Sequence, residues 1–302
     1  MLQNPAKIDV NCPVCDSGRY RIRYEPRVDI LDPAELYGAA SGVPGTQSVV
    51  VCEACGMIYE NPRFSEDVIL LGYTQSDDSS HDSQYAMRLR SFYRSLEALK
   101  SHLPGMGARA LDVGTAGGAF LEAAQAFGYD AIGIEPSRHL VEQGRKRGLA
   151  IEQATLDCHS FAQASFDLVC MWDVIEHLPD PKRTLQHIRG LLKRDGLLLI
   201  NYPDIGTWQA KLAGRRFWWL LSVHLHYFTR STIRDLCQRT GFDVLLTRRY
   251  WQTLELGYLE DMAIHYRIPF GKTLKHLTPV FLQRLPVPYY ASQTTVLAKI
   301  RP

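Results

Sequence analysis

Leu111-Asp-Val-Gly-Thr-Ala-Gly-Gly-Ala-Phe120 is the stretch on which the fold turns. An apolar strand over 108–113 runs into a loop of small residues, and a helical pattern continues through 127, so the backbone at 114–118 is free to approach a ligand closely. The alternation repeats downstream. Strands are expected at 131–134, 150–152, 166–171, 196–202, 242–248 and 294–300, with helices at 137–147, 181–192 and 231–240. Such a series specifies an α/β fold, a doubly wound, seven-stranded, mostly parallel sheet. Right-handed crossovers then gather the loops after the strand carboxyl ends on one edge, where ligands of these sheets bind.

Composition narrows the class. With 302 residues, the chain accommodates one large domain and a small appendage. Hydrophobic residues make up 46% and charged residues 22%, which excludes collagen, coiled coil and disorder. The densest apolar run, Phe217-Trp-Trp-Leu-Leu-Ser-Val223, is far shorter than the roughly 18–20 residues of a bilayer-crossing helix. No apolar signal-peptide core follows Met1, so a cytoplasmic location with reduced thiols is expected. The formal net charge of +2 conceals an asymmetry. Residues 1–204 carry 20 Lys/Arg against 27 Asp/Glu, whereas 205–302 carry 14 against 5, net +9. A basic final third favours anionic partners: a phosphorylated or nucleotide-linked substrate, nucleic acid, or an acidic membrane surface met peripherally. The alternative is a solvated basic face without a partner.

Four of the seven cysteines form two CxxC pairs, Cys12-Pro-Val-Cys15 and Cys52-Glu-Ala-Cys55, each followed closely by glycine (Gly18, Gly56). Two matching pairs can surround one tetrahedral zinc through four thiolates, whereas a redox CxxC needs no second pair. The 36 residues between the pairs exceed the usual zinc-ribbon spacing, so a hairpin or loop insertion is expected around Gly42-Val-Pro-Gly45. Cys158, Cys170 and Cys237 stand alone and are expected to be buried thiols. The division that follows is a zinc ribbon over 1–65, a linker and N-terminal helix over 66–105, and the α/β domain over 106–302. Within the middle part, the polar run 75–83 reads as linker, and apolar spacing from Met87 to Leu99 gives a helix over 85–103 ended by Pro104-Gly105.

The glycine loop has a specific context. Asp112 precedes it, and Glu135 ends the next strand 23 residues on, where a carboxylate can accept both hydroxyls of a ribose. Phe166-Asp-Leu-Val-Cys-Met-Trp-Asp-Val-Ile-Glu-His-Leu178 then runs from a strand into an acidic-aromatic loop, and Leu191-Leu-Lys-Arg-Asp-Gly-Leu-Leu-Leu-Ile200 follows. In this order the motifs resemble the class I S-adenosylmethionine-dependent methyltransferases, with their Rossmann-like sheet, over roughly 85–302. The Asp173-x-x-Glu176-His177 segment looks like the small-molecule branch that includes the ubiquinone-type O-methyltransferases. The cysteine pairs in front, with His224-Leu-His-Tyr-Phe-Thr229 and Thr240-Gly-Phe242, look like relatives that carry an N-terminal zinc ribbon and modify sugars or polysaccharide-pathway intermediates. Ala116 departs from the family's GxGxG at its middle glycine, which is expected to set the loop slightly further from the methionine moiety.

The resemblance implies S-adenosylmethionine as cofactor beside a structural zinc on Cys12, Cys15, Cys52 and Cys55. It assigns Asp112, Gly114, Thr115, Ala116 and Gly118 to the methionine end and Glu135 with Pro136 to the ribose. Leu156 and Asp157 fall beside the adenine, and Trp172 with Asp173 near the transferable methyl. A sulfonium tolerates carboxylate and aromatic neighbours but not Lys or Arg, so these residue types suit the task. For the glycine loop the alternative is a dinucleotide-binding domain, which has no use for Asp173-x-x-Glu176-His177. For Trp172 the alternative is core filler, and for Glu176 a support of its loop.

An oxygen nucleophile profits from a nearby base, so His177, His224 and His226 are the candidate catalytic residues, each with a structural alternative. His224 and His226 can instead pair with a substrate phosphate or pack beneath an aromatic lid of Phe217, Trp218 and Trp219. Acceptor specificity is expected in two insertions, 205–229 and 251–293, both long for plain connections. There Arg215 and Arg216, with the aromatic residues, are expected to grip an anionic or sugar-containing small molecule. The expected function is methyl transfer to a small molecule, a sugar or polysaccharide-pathway intermediate. An RNA base methyltransferase and a non-catalytic cofactor-binding scaffold are the alternatives. Nucleic acid is disfavoured because 1–65 is not strongly basic, and cofactor binding without turnover would distinguish the scaffold.

Overall fold

Phe166–Trp172 is apolar at nearly every position because the strand it forms is covered on both faces. Leu168, Cys170 and Trp172 pack on one side of the sheet and Val169 and Met171 on the other, following the two-residue period of a strand. The computed structural model describes residues 6–27, 36–37, 46–75, 84–265 and 270–301. The expected insertion around Gly42-Val-Pro-Gly45 and all but the first residue of the expected linker 75–83 lie outside the described residues.

The chain begins with β1 (Tyr20–Tyr24), β2 (Val49–Cys52) and β3 (Ile58–Glu60), followed by α1 (Glu66–Gln75) and α2 (Tyr85–Leu99). The parallel region comprises β4 (Arg109–Val113), α3 (Ala119–Ala126), β5 (Asp130–Ile134), α4 (Arg138–Lys146), β6 (Ile151–Glu152), β7 (Phe166–Trp172), α5 (Pro181–Leu191) and β8 (Leu192–Pro203). Next come α6 (Trp208–Ala213), β9 (His226–Tyr227), α7 (Arg230–Arg239) and β10 (Phe242–Arg249). The last segment holds β11 (Gln252–Glu255), α8 (Leu256–His265), α9 (Gly271–Leu277), α10 (Val280–Gln283), β12 (Pro286–Tyr289) and β13 (Gln293–Ile300).

The large sheet has the order β10-β13-β8-β7-β4-β5-β6. Pairing is parallel from β8 through β6, and β13 runs antiparallel to both its neighbours. All seven expected strands form. β8 starts earlier than 196 because Leu192 already pairs with Phe166, before an irregularity at Phe166/Leu168. Local chemistry fixes the helix starts: the Asp180 carboxylate accepts from the Arg183 N–H ahead of Pro181, and Thr229 with Thr232 closes a capping box on α7. α2 is shorter than expected, ending at Leu99 rather than 103.

The expected boundary at 65 is crossed by backbone and by core. A four-stranded sheet, β1-β2-β3-β9, takes its last strand from the first insertion, with Ile58 opposite Tyr227 and Tyr59 opposite His226. Cys12, Val14, Val50, Met57 and Tyr59 share one buried cluster with Met171, Ile188 and Leu236 of the large sheet and its helices. Of the three lone cysteines, Cys170 and Cys237 are buried as expected, but Cys158 is exposed. Among the described residues no helix is long and apolar enough to cross a membrane.

The second insertion is a two-stranded ribbon, β11 against β12, with α8–α10 between its strands. It is fastened to α2 by polar contacts. The Thr253 N–H donates to Ser91 Oγ at 2.8 Å, and Arg94 donates to Thr253 Oγ1 at 2.8 Å. Ser91 and Thr253 are buried, so Ser91→Ala leaves an N–H out of water without a partner and is expected to cost about 1–3 kcal/mol. Denaturant unfolding of the two proteins measures the difference.

Candidate active site

The carboxyl ends of β4, β5, β6 and β7 open onto one cavity of about 660 Å³. Asp112, Gly114, Thr115, Ala116, Pro136, Leu156, Asp157, Trp172 and Asp173 line it, as do His177 and His224. Gly118, Glu135 and His226 do not. The loop after β4 alternates: Gly114, Ala116 and Gly118 all take positive φ, at 68°, 49° and 88°. This is the physical content of a GxGxG spacing, and Ala116 adopts the left-handed conformation at the cost that a Cβ imposes there. At Gly118 a Cβ would fall 2.3 Å from Leu149 Cδ1, so that glycine serves packing behind the loop.

Glu135 holds this loop from below. It is fully buried, and its carboxylate accepts from the Ala116 N–H at 3.0 Å and the Ser137 N–H at 2.9 Å. Asp112 is buried too, yet its Oδ1 has no hydrogen-bond partner among the described residues. Burial, reinforced by the nearby Glu135 charge, pushes its carboxyl up to about 8. A buried carboxyl with one oxygen left without a partner beside accessible loop backbone suits a ligand bearing an ammonium group. Trp172 packs against Phe92, Phe120 and Tyr250 with centroids 5.0–5.3 Å away, and its Nε1 likewise lacks a partner among the described residues. It is therefore both core and cavity wall. Asp157 sits at the far rim, 3.3 Å from Arg183.

A second group of side chains gathers after β7. Asp173 takes φ 55°, and its Oδ1 accepts from Asn201 Nδ2 at 2.7 Å and Gln293 Nε2 at 2.6 Å, tying β7 to β8 and β13. Burial pushes its carboxyl up to about 6. Glu176 is 1% exposed, and neither carboxylate oxygen has a hydrogen-bond partner among the described residues. Its main-chain carbonyl accepts from the Leu225 N–H at 2.9 Å and the His226 N–H at 3.1 Å, which brings the two histidine segments together. His177 Nδ1 is 3.1 Å from the Val223 carbonyl and His224 Nδ1 is 2.8 Å from the Trp219 carbonyl. Carbonyls only accept, so each Nδ1 carries the proton and each Nε2 presents a lone pair. Burial pushes His177 down to about 4 and His224 well below the ordinary range, leaving both rings neutral. His226 instead points its Nε2 at the Leu178 carbonyl, 2.9 Å away, behind the cavity wall.

The basic third lies elsewhere. No Lys or Arg from 205–302 lines the cavity among the described residues. Arg215 donates to the Glu25 carbonyl and lies 5.4 Å over the Tyr24 ring, so it braces β1 rather than meeting a ligand in this cavity. Arg230 and Arg301 pair with Asp204 and Asp243, and Arg248 donates to the Ala98 carbonyl. The expected aromatic lid divides as well. Phe217 and Trp218 pack with Val49, Val51 and Tyr227, while Trp219 alone of the three lines the cavity and stacks on His224. Sequence reasoning missed Tyr85, Arg88 and Phe92 of α2, Tyr250, and Ile69 and Tyr73 of α1, all at the cavity. The first three recur at i, i+3 and i+7, a spacing that was legible as one helix face. Asn201 was legible as the polar residue inside Leu-Leu-Leu-Ile-Asn-Tyr-Pro203.

The four paired cysteines meet where β2 ends, at Cys52. Their sulfurs all lie within 4.8 Å of one another, with Cys12 and Cys15 each 3.5 Å from Cys55 and Cys52 respectively. Zinc–sulfur bonds of about 2.3 Å require tetrahedral edges of about 3.8 Å, so the donor set fits such an ion. Both knuckles turn alike: the Asp16 N–H donates to the Cys12 carbonyl and the Gly56 N–H to the Cys52 carbonyl, each at 3.0 Å. The left-handed residue of the first knuckle is Asp16, φ 62°, and not Gly18.

Residues 82–247, more than half of the chain, match the family described as a methyltransferase domain. The ubiquinone biosynthesis O-methyltransferase of Actinobacillus pleuropneumoniae is 32% identical over 106 residues, which is 32% of this chain and 45% of that protein. Its namesake from Cereibacter sphaeroides is 33% identical over 158 residues, 48% of this chain and 64% of that protein. The chain thus spans about half the length of the curated relatives it matches. A crystal structure of a candidate methyltransferase from Bacillus halodurans C-125 covers 70% of this chain and 98% of its own at 15% identity and TM-score 0.50, which shows a shared fold. With the family match running from α2 into β10, across the whole parallel part of the sheet and its glycine loop, the chain belongs to the class I S-adenosylmethionine-dependent methyltransferase family.

Proposed function

We propose that this protein transfers a methyl group from S-adenosylmethionine to a small molecule rich in hydroxyls, a sugar or polysaccharide-pathway intermediate. The observation that carries the reading is the division of one cavity into two polar ends: Asp112, whose Oδ1 has no hydrogen-bond partner among the described residues, under the glycine loop, and Glu176, whose two oxygens likewise have none, beside His177 and His224 after β7. The curated relatives are named for methylation of a small molecule, which supports the same class of acceptor. When bound, S-adenosylmethionine supplies a methyl activated by a sulfonium leaving group. Asp112 then faces its ammonium, the loop backbone cradles its carboxylate, and Trp172 walls the reacting centre. Asp173, held by Asn201 and Gln293, keeps negative charge near the cation without swinging into it. The lone pairs on Nε2 of His177 and His224 accept a hydrogen bond from an acceptor hydroxyl and orient it, burial keeping both rings neutral. Trp219, Tyr258 and Tyr289 provide the faces on which a sugar ring can lie. Peripheral contact with an acidic membrane is supported at α9 and α10, where Phe270, Val280 and Phe281 stand exposed beside Lys272 and Lys275.

The direct test is incubation with methyl-labelled cofactor and separated pools of nucleotide sugars, other small metabolites and RNA. Label in the sugar pool is expected, and label in RNA, or none in any pool, would overturn the reading.

Glu135 is proposed to act on the cofactor through the loop as well as at the ribose. Glu135→Ala should weaken S-adenosylmethionine by roughly 1–3 kcal/mol in calorimetry and lower thermal stability, because the buried Ser137 N–H and the part-buried Ala116 N–H lose a charged acceptor. A fall in affinity with unchanged stability would assign the residue to the ribose alone.

The cysteine cluster is proposed to hold a structural zinc that clamps 12–15 to 52–55. Metal analysis should find about one zinc per chain on these thiolates, lost together with several degrees of melting temperature in Cys52→Ser/Cys55→Ser.

A further inference from the structure

The outer side of β1 is a sheet edge that pairs with nothing among the described residues, since β1 is the terminal strand of its sheet. In an antiparallel pair, hydrogen-bonded and non-bonded residue pairs alternate. The Glu53 N–H donates to the Arg19 carbonyl at 3.1 Å, and Arg21 stands opposite Val51. The main chain of Arg19 and Arg21 is thus spent on β2, and the N–H and carbonyl groups of Tyr20 and Ile22 point outward. Leu36 and Tyr37, the next described residues after Arg27, pack with Phe64, Ile69 and Leu225 beside β9, at the opposite edge. Side chains alternate as well. Tyr20, opposite Cys52, and Ile22, opposite Val50, share one face and are 36% and 54% exposed, while Arg19 and Arg21 share the other with Val51. Residues 17–27 hold four arginines, all exposed, against one glutamate, and Arg215 over the Tyr24 ring adds to the same charge. Exposed guanidinium groups are satisfied by water and demand no partner. Their charge sets the sign of a chain that can lie beside them.

We propose that β1 takes an extended segment of a partner protein as a fifth strand, one in which acidic residues alternate with apolar ones. The outward groups of Tyr20 and Ile22 supply the ladder, Arg19 and Arg21 meet the acidic side chains, and the Tyr20 and Ile22 side chains cover the apolar ones. A guanidinium fork binds both oxygens of a carboxylate, which suits glutamate or aspartate at these positions. A second copy of β1 is a poor occupant, because it brings arginine onto the same face as arginine. A nucleic acid would use the charge but leave the outward main-chain groups without a ladder. Tyr24, at the end of β1, packs against the same cluster as Trp219 of the cavity wall, so the partner sits one layer from the cavity. The surface stands on β1 itself and not on the methyl-transfer reading.

Amide hydrogen exchange on the full chain reads the edge residue by residue. In the free protein the Tyr20 and Ile22 amides are expected to exchange freely and the Arg21 amide slowly. Slow exchange at Tyr20 and Ile22 before any addition shows an edge already covered and overturns the proposal. The probe is the peptide acetyl-Glu-Val-Glu-Val-Glu-Val-Glu-amide. It is expected to bind saturably in about 0.1 M salt and to slow exchange at Tyr20 and Ile22 at least about tenfold. Binding should fall at least about tenfold in Arg19→Glu/Arg21→Glu, with S-adenosylmethionine affinity within about twofold of the parent as the sign that the variant is folded. Should the variant misfold, the parent decides the matter with a peptide of the same composition in block order, Glu-Glu-Glu-Glu-Val-Val-Val. Strand addition requires the block peptide to bind at least about tenfold more weakly, because half its side chains then meet the wrong face. Equal binding of the two peptides, equal binding by parent and folded variant, or no binding of the alternating peptide overturns the proposal. So does tighter binding of a twelve-nucleotide uridine RNA, which would assign the arginines to nucleic acid.

Discussion

Burial of both faces of the parallel sheet is the constraint from which the rest follows. β7 and β4 have helices on one side and the cysteine-bearing module with further helices on the other, so no ligand can approach their faces. Only the carboxyl edge is open, and the chain must leave each strand there. At that edge the backbone turns through unusual conformations, at Gly114, Ala116, Gly118 and Asp173. At the non-glycine positions, Ala116 and Asp173, this conformation is strained and persists only where surroundings over-determine it. Here Glu135 holds the first loop, and Asn201 and Gln293 hold Asp173.

The same constraint makes the N-terminal module part of the site rather than an appendage. β9 is the fourth strand of its sheet, and the Leu225 and His226 amides at that strand bind the Glu176 carbonyl. Disturbing the cysteine knuckles therefore reaches the histidines through two layers of backbone hydrogen bonds. The cysteine cluster and the Glu176–His177–His224 end of the cavity share a framework although they share no side chain.

Electrostatics at the cavity run opposite to the charge of the surrounding sequence. The basic excess of 205–302 suggested a grip on an anion, yet Arg215, Arg230, Arg248 and Arg301 of that region are engaged by Asp204, Asp243 and main-chain carbonyls. The cavity itself gathers Asp112, Asp173 and Glu176. Net charge counts residues wherever they lie, whereas a buried site responds only to groups within a few ångströms in low dielectric.

Strand–helix alternation, the glycine loop and the paired cysteines were legible in the sequence because each is a local pattern, in which near neighbours dictate backbone conformation or ligand spacing. On those patterns the seven strands and the four converging sulfurs could be named from residues alone, whereas most of the lining residues at the glycine-loop end were named through the family resemblance that the motifs carry. The division of labour among His177, His224 and His226 could not, since three similar side chains are separated only by which carbonyl each ring meets. Nor could the sequence reveal that Glu135 serves the loop, that Arg215 braces β1, or that α2 delivers Arg88 to the cavity. Those facts depend on contacts between segments tens to hundreds of residues apart, and the packing of the two sheets against each other is what brings them within reach.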